Sequence, residues 1–468
     1  MKQIKFGMLV VFALLLAIPL AAFRWEPGIA SEIDNRMLAE NPFSAEECAK
    51  GGDWSTKIEN YVNDRIGLRE EMITWNTVLN YRLFGKMEHP NYCAGEDGYV
   101  FMRLGLPTEY GEFHEVFVDM VKQIQDYCEA RGVPFLFAFE PAKTTTLQEF
   151  LPAGYRYDNR WVGRLFEELN ARGIRYVDNS PLLREKTEAG EVVFNRKYDA
   201  GHWNDLGAYY GVNNILEAMK EDSPRVHVNQ WEELAVSQHR EATLPVSRVP
   251  VNELVPAISF PGLEMEDLTA VYEPEVKRDP SFQGFYYGIN SKRLEEGSPR
   301  TLVFQGSYMN GKGAKYLMNA LGEYIYVHDY QNIIDFDYYF NIFQPEYVVF
   351  EVAEYATTAD YFDLERMRAM DLNLRLEDAR SLASAEEKRF LPKEEFSTKQ
   401  GEALTIISWA GGDGSESCVW AELGDTVFDL RRSEAGGWEV TVKNEVWDQY
   451  GDSLRIAALA GEILREYQ

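Results

Sequence analysis

Cysteine and histidine are scarce in this sequence, with four cysteines and six histidines among 468 residues. No spacing among them suggests zinc, so neither a metal nor a cofactor is expected. Cys128 follows the apolar face Val121, Ile124 and Tyr127 and reads as a buried thiol, while Cys48 with Cys93 is a candidate disulfide. Basic residues are also few: Lys and Arg total 47 against 76 Asp and Glu, a formal net charge of -29. That balance excludes nucleic acid as a partner, because phosphate binding needs clustered cations. It argues against a chain lying flat on anionic lipid. A neutral glycan would not be repelled. Internal repeats and low-complexity tracts are absent.

Long hydrophobic runs are missing too, with one exception. Lys2 and Lys5 precede an uncharged apolar stretch from Phe6 to Phe23, which Arg24, Trp25, Glu26 and Pro27 end. Residues 1–27 are expected to be an N-terminal membrane anchor or a signal peptide. The two lysines favour a cytoplasmic N-terminus. An uncleaved anchor would make the chain single-pass at the cell membrane with an extracytoplasmic domain. A cleaved one would make it secreted.

The rest is rich enough in apolar residues (45%) and aromatics (13%) to build a large core. Residues 54–86 carry apolar positions at helical spacing, and "GEDGYVFM" (Gly95–Met102) reads as a turn and a short strand. Helix, glycine and apolar strand then repeat. A helix near 112–131 ends at Gly132 before "VPFLFAFEP", and one near 158–172 ends at Gly173 before "IRYVDN". After a helix at 205–220, residues 222–300 read as an insertion. The pattern resumes with "RTLVFQGS" (Arg300–Ser307), a helix at 312–323, "YIYVHDY" and "EYVVFEVAEYA". This predicts an α/β fold with a parallel sheet over residues 28–375. A charged helical stretch is expected at 380–395. Short strands then predict a small β-sandwich-like domain over 376–468. Trp409, Trp420 and Trp438 there suit either core packing or stacking on sugar rings.

Two short segments carry chemistry. In "YDAGHWNDLGAYYG", Asp199 stands three residues before His202 with Gly201 between them. A carboxylate at that spacing can reach the imidazole across a tight turn and fix its tautomer. In "TLVFQGSYMNGKG", Ser307 closes an apolar strand just after Gly306. A strand-end serine ahead of a helix exposes its hydroxyl, and the strand's carboxyl end is where α/β sheets gather active groups. Glu351 and Glu354 end a later strand near the same edge, either touching substrate or solvating the edge.

These segments resemble the SGNH/GDSL hydrolase superfamily, and within it the AlgX/AlgJ-like and DHHW-type proteins of polysaccharide O-acetylation. The likeness rests also on "DNRMLAENP" (Asp34–Pro42), "WSTKIENYVNDRIGLRE" (Trp54–Glu70), "FEPAKTTTLQEFLP" (Phe139–Pro152) and "QPEYVVFEVAEY", in that order along residues 30–356. Two features depart from it. The alginate-type proteins place Asp two residues before His, whereas here it stands three before, the spacing of ordinary SGNH hydrolases, and the Gly-Asp-Ser turn is Gln305-Gly306-Ser307.

The resemblance implies a flavodoxin-like SGNH fold with Ser307 as nucleophile, His202 as base and Asp199 as its orienter. It implies acetyl transfer to a cell-surface or exopolysaccharide acceptor, with a membrane-bound O-acyltransferase as the donor partner. Lys143 matches a lysine that follows the first central strand in such proteins and is a candidate for substrate binding. Tyr308 and Asn310 are candidates for the oxyanion site and substrate contact. The alternatives are a carbohydrate acetylesterase and a polysaccharide-binding scaffold that has lost its chemistry.

Overall fold

A computed structural model describes residues 2–31, 33, 36–49, 51–103, 105–245, 249–373, 396–411, 414, 416–433, 436–460 and 463–467. The alternating pattern forms one seven-stranded sheet. Its strands are β1 (Phe135–Glu140), β2 (Tyr176–Asp178), β3 (Glu266–Asp267), β4 (Phe285–Ile289), β5 (Arg300–Gln305), β6 (Glu323–His328) and β7 (Tyr347–Ala353). They lie in the order β2-β1-β7-β5-β6-β4-β3. The run from β2 to β6 is parallel, and β4 pairs antiparallel with both β6 and β3. Every residue of β1 and β7 is buried, as in a sheet covered on both faces. This is why their sequences are largely apolar, apart from Glu140 and Glu351, rather than alternating. The expected α/β fold with a mostly parallel sheet is borne out.

Among the covering helices are α4 (Glu112–Glu129), α5 (Arg160–Ala171) and α6 (Asp205–Asp222). Gly132 and Gly173, with φ of 68° and 67°, turn the chain out of α4 and α5 into the next strands.

Several expectations are corrected. The segment 54–86 is two helices, α2 (Trp54–Arg65) and α3 (Arg69–Phe84). The break falls at Gly67, where a Cβ would lie 2.3 Å from that of Ala22, and at Leu68, whose φ is 60°. Residues 222–300 are not wholly an insertion, because β3 and β4 within them extend the central sheet. Only the hairpin of Ala235–Thr243 and Pro250–Ser259 stands apart from it as a two-stranded unit. Cys48 and Cys93 are both free thiols, so the candidate disulfide does not form; Cys128 is buried as expected. The apolar N-terminal stretch forms helix α1 (Lys2–Ala21), which contains Pro19. Among the described residues no helix is long and apolar enough to cross a membrane, so a single-pass anchor finds no support.

The C-terminal strands form one antiparallel sheet rather than a two-sheet sandwich. Its seven strands run from Phe396–Gln400 to Ile463–Tyr467. Helix Asn444–Tyr450 lays Val446 and Trp447 on its core in place of a second sheet. Trp409, Trp420 and Trp438 are all buried, which settles them as packing residues. The unit docks on the central domain through Lys443 Nζ to Tyr287 Oη (3.0 Å) and Asn341 Nδ2 to the Asp429 carbonyl (3.0 Å). The helix expected at 380–395 lies outside the described residues.

Candidate active site

The carboxyl ends of β5 and β7, adjacent in the sheet, deliver Ser307 and Tyr355. Ser307 stands just past Gln305-Gly306, where the chain turns into a helix that begins with a π-helical segment, Met309–Gly313. His202 arrives from the loop ahead of α6. Asn204 caps that helix, its side-chain oxygen accepting from the N–H groups of Leu206 and Gly207.

The three expected residues meet. His202 Nε2 lies 2.9 Å from Ser307 Oγ, and His202 Nδ1 lies 2.7 Å from Asp199 Oδ1. Asp199 Oδ1 also accepts the His202 backbone N–H at 3.2 Å, closing the tight turn. Asp199 adopts a left-handed φ of 51°, a strained conformation for a residue other than glycine. Burial pushes the Asp199 carboxyl upward, but the His202 ring and its hydrogen bonds outweigh this and hold it below the usual carboxylate range. Burial likewise opposes charge on His202, yet Asp199 raises its pKa above the ordinary 6.5.

The loop bearing Asp199 and His202 is held from two sides. Lys143 Nζ donates to the carbonyls of Val100 (2.9 Å), Asn195 (2.6 Å) and Arg196 (3.3 Å). Glu253, from the hairpin, accepts the backbone N–H groups of Arg196, Lys197 and Tyr198. Lys143 is only 1% exposed, and burial lowers its pKa to about 7 although Asp199 and Glu253 oppose the shift. Lys143 therefore braces the loop from behind and does not face a substrate.

Tyr308 is fully buried as well. Its hydroxyl bridges the carbonyls of Pro141 (2.8 Å) and Gly201 (2.9 Å), and its own carbonyl accepts from Trp203 Nε1 (3.0 Å). It ties the serine segment to the histidine loop rather than contacting substrate. Asn310 is exposed and accepts from Gln305 Nε2 (2.9 Å).

Glu351 and Glu354 are corrected to interior groups, since both are fully buried. Glu351 Oε2 accepts the Gly306 N–H at 2.8 Å, and Glu354 Oε2 accepts the Ala142 N–H at 2.9 Å. Glu351 thus supplies, from the neighbouring strand, a carboxyl that fixes the Gln-Gly-Ser turn. Burial, then Glu140 and Asp329, push its pKa well up.

Tyr355 was not anticipated. Its hydroxyl hydrogen-bonds Ser307 Oγ and is itself hydrogen-bonded to Tyr330. Burial raises its pKa far enough to keep it a neutral phenol. Its only signal in the sequence was its place two residues past the end of β7. Among the described residues no group of His, Cys, Asp and Glu is arranged to hold a metal ion.

A serine past the carboxyl end of a parallel strand, joined to imidazole and carboxylate, is an arrangement able to transfer or hydrolyse an acyl ester. Residues 93–279 match the family model described as SGNH hydrolase-like domain, acetyltransferase AlgX, which bears out the resemblance and the reading as an SGNH-type acyltransferase or esterase. The match spans Lys143, Asp199 and His202 and ends before Ser307. No curated protein matches the sequence significantly. Solved structures similar to this chain include Bacillus cereus PatB1 with a sulfonyl adduct, at 14% identity and TM-score 0.44, covering 58% of this chain and 96% of that one. The O-acetyltransferase domain of Pseudomonas putida AlgJ is similar at 13% identity and TM-score 0.40, covering 60% and 99%. Pseudomonas aeruginosa AlgX is similar at 13% and 0.39, covering 75% and 90%. At such identities and scores these structures carry no argument about the chemistry of this chain.

Proposed function

We propose that the chain is an extracytoplasmic O-acetyltransferase that modifies a polysaccharide through a Ser–His–Asp triad and an acyl-enzyme. The observation that carries this reading is the contact of Ser307 Oγ with His202 Nε2 at 2.9 Å, with Asp199 at the far ring nitrogen. The family match, described by an acetyltransferase, supports transfer as the outcome.

As Ser307 Oγ attacks the acyl carbonyl of the donor, its proton passes to His202 Nε2. Asp199 stabilises the imidazolium that results. The Tyr355 phenol, a neutral donor, serves oxygen at the reacting centre. Collapse breaks the bond to the donor alcohol, which takes the proton from His202 and leaves the acetyl group on Ser307. A sugar hydroxyl then attacks this ester, giving its proton to His202, and Ser307 Oγ recovers that proton on release. Water in the acceptor's place would make the same machinery an esterase. A scaffold without chemistry is disfavoured, because it has no need for a hydroxyl hydrogen-bonded to an oriented imidazole.

A membrane-bound O-acyltransferase is the donor partner this reading assigns. Lys2 and Lys5 in the first turn of the otherwise apolar helix α1 support an export address for the domain.

The test is turnover of 4-nitrophenyl acetate by the purified protein, alone and with neutral oligosaccharides. Acetylated oligosaccharide is expected, and Ser307→Ala abolishes both release of nitrophenol and transfer. Unchanged turnover in Ser307→Ala rules Ser307 out as nucleophile.

A further inference from the structure

The large apolar side chains exposed to solvent are not evenly spread. Among the described residues most lie before residue 85, whereas beyond it they occur singly, at positions such as Tyr155, Trp231 and Leu294. A surface helix ordinarily turns polar residues outward. Helix α3 does the opposite: Met72, Trp75, Leu79 and Leu83 follow one another at helical spacing on its outer side, with Trp75 76% exposed. Helix α2 presents Trp54, Ile58 and Val62, also exposed, and Phe43 stacks on Trp54.

These faces are joined to a third. The apolar helix α1 ends against the turn between α2 and α3, where the Gly67 N–H donates to the Pro19 carbonyl (3.0 Å) and the Arg24 N–H to the Arg65 carbonyl (2.9 Å). Trp25, 72% exposed, projects at that junction beside Phe23. So many large exposed apolar side chains gathered on three segments that meet at one turn mark an interaction site rather than ordinary surface variation.

Charge selects the occupant. Residues 1–86 hold ten Lys and Arg against eleven Asp and Glu, so nearly all of the net charge of -29 lies in the rest of the chain. The whole-chain charge that argues against anionic lipid does not apply to this face. We propose that α2, α3 and the foot of α1 seat on a lipid bilayer surface, with Trp25, Trp54 and Trp75 at headgroup level. Among the described residues no helix is long and apolar enough to cross a membrane, and apolar residues set along the sides of α2 and α3 suit contact in the plane of the interface. It stands independently of the catalytic reading.

The full chain is mixed with vesicles of phosphatidylethanolamine and phosphatidylglycerol carrying brominated acyl chains. Bromine quenches part of the tryptophan fluorescence, and the combined variant Trp25→Phe, Trp54→Phe, Trp75→Phe loses that quenched part while still floating with the vesicles. Trp75→Glu with Leu79→Glu weakens vesicle binding about tenfold or more with unchanged far-ultraviolet circular dichroism. Equal quenching in the wild type and the phenylalanine variant overturns the proposal. So does equal flotation of the glutamate variant. Dimers in vesicle-free solution that the glutamate variant converts to monomers, with flotation unaltered, overturn it in favour of self-association.

Discussion

The hydroxyls of Tyr355 and Ser307 are hydrogen-bonded across 48 positions of sequence. Ser307 has one proton to give, and His202 is placed to take it. Tyr355 is therefore the donor toward Ser307 Oγ. Tyr355→Phe removes that donor and keeps the buried ring. It should lower kcat about tenfold to a hundredfold with little change in KM. Steady-state kinetics on an aryl acetate measure the split, and thermal melting checks that the fold is intact.

The Asp199–His202 pair sets the pH dependence. His202 acts as a base only when unprotonated, and Asp199 raises its pKa above 6.5. Activity is thus lost as pH falls through that raised value, so the acid limb of kcat/KM lies above pH 6.5. Asp199→Asn should shift the limb to lower pH and cut kcat about a thousandfold or more. A pH–rate profile of both proteins reads this.

Glu351 holds the Gly306 N–H at 2.8 Å in a fully buried setting. Glu351→Gln retains a carbonyl acceptor and should keep the fold. Glu351→Ala leaves the N–H without a partner and should cost about 1–3 kcal/mol. Chemical denaturation of the two variants separates them.

Glu140 is fully buried, with Asn179 donating to both carboxyl oxygens. Burial raises its pKa to about 8, against 4.5 unperturbed. The folded chain therefore holds this proton more tightly than the unfolded one. The stabilisation is full below pH 4.5 and is lost as pH rises through about 8. Glu140→Gln, of nearly the same shape, should flatten the fall in Tm between about pH 5 and about pH 9.

The strands were legible because β1, β5 and β7 are covered on both faces and read as largely apolar runs without alternation. Glycines 132 and 173 punctuated them through their left-handed φ. Asp199, His202 and Ser307 were legible as residue types in suitable turns. Their meeting was legible only through the family resemblance, because packing between the loop ahead of α6 and the end of β5 is a long-range property. Tyr355 was invisible among 27 tyrosines. Glu351 and Glu354 read as edge groups because carboxylates are seldom fully buried. Here a backbone N–H accepted by each makes burial tolerable. Lys143 misled in a similar way, since three carbonyls satisfy its ammonium out of reach of solvent. Strand spacing in the C-terminal unit is the same for one sheet as for a sandwich, and only Trp447 on a short helix reveals what covers the core.

The central claim is that Ser307 carries the acyl group. Brief exposure to 4-nitrophenyl acetate, acid quenching and intact-mass measurement test it directly. An acetyl increment should appear, map to the peptide bearing Ser307, accumulate when acceptor is withheld and vanish in Ser307→Ala. An increment that persists in Ser307→Ala, or that maps to another residue while turnover continues, would contradict the account.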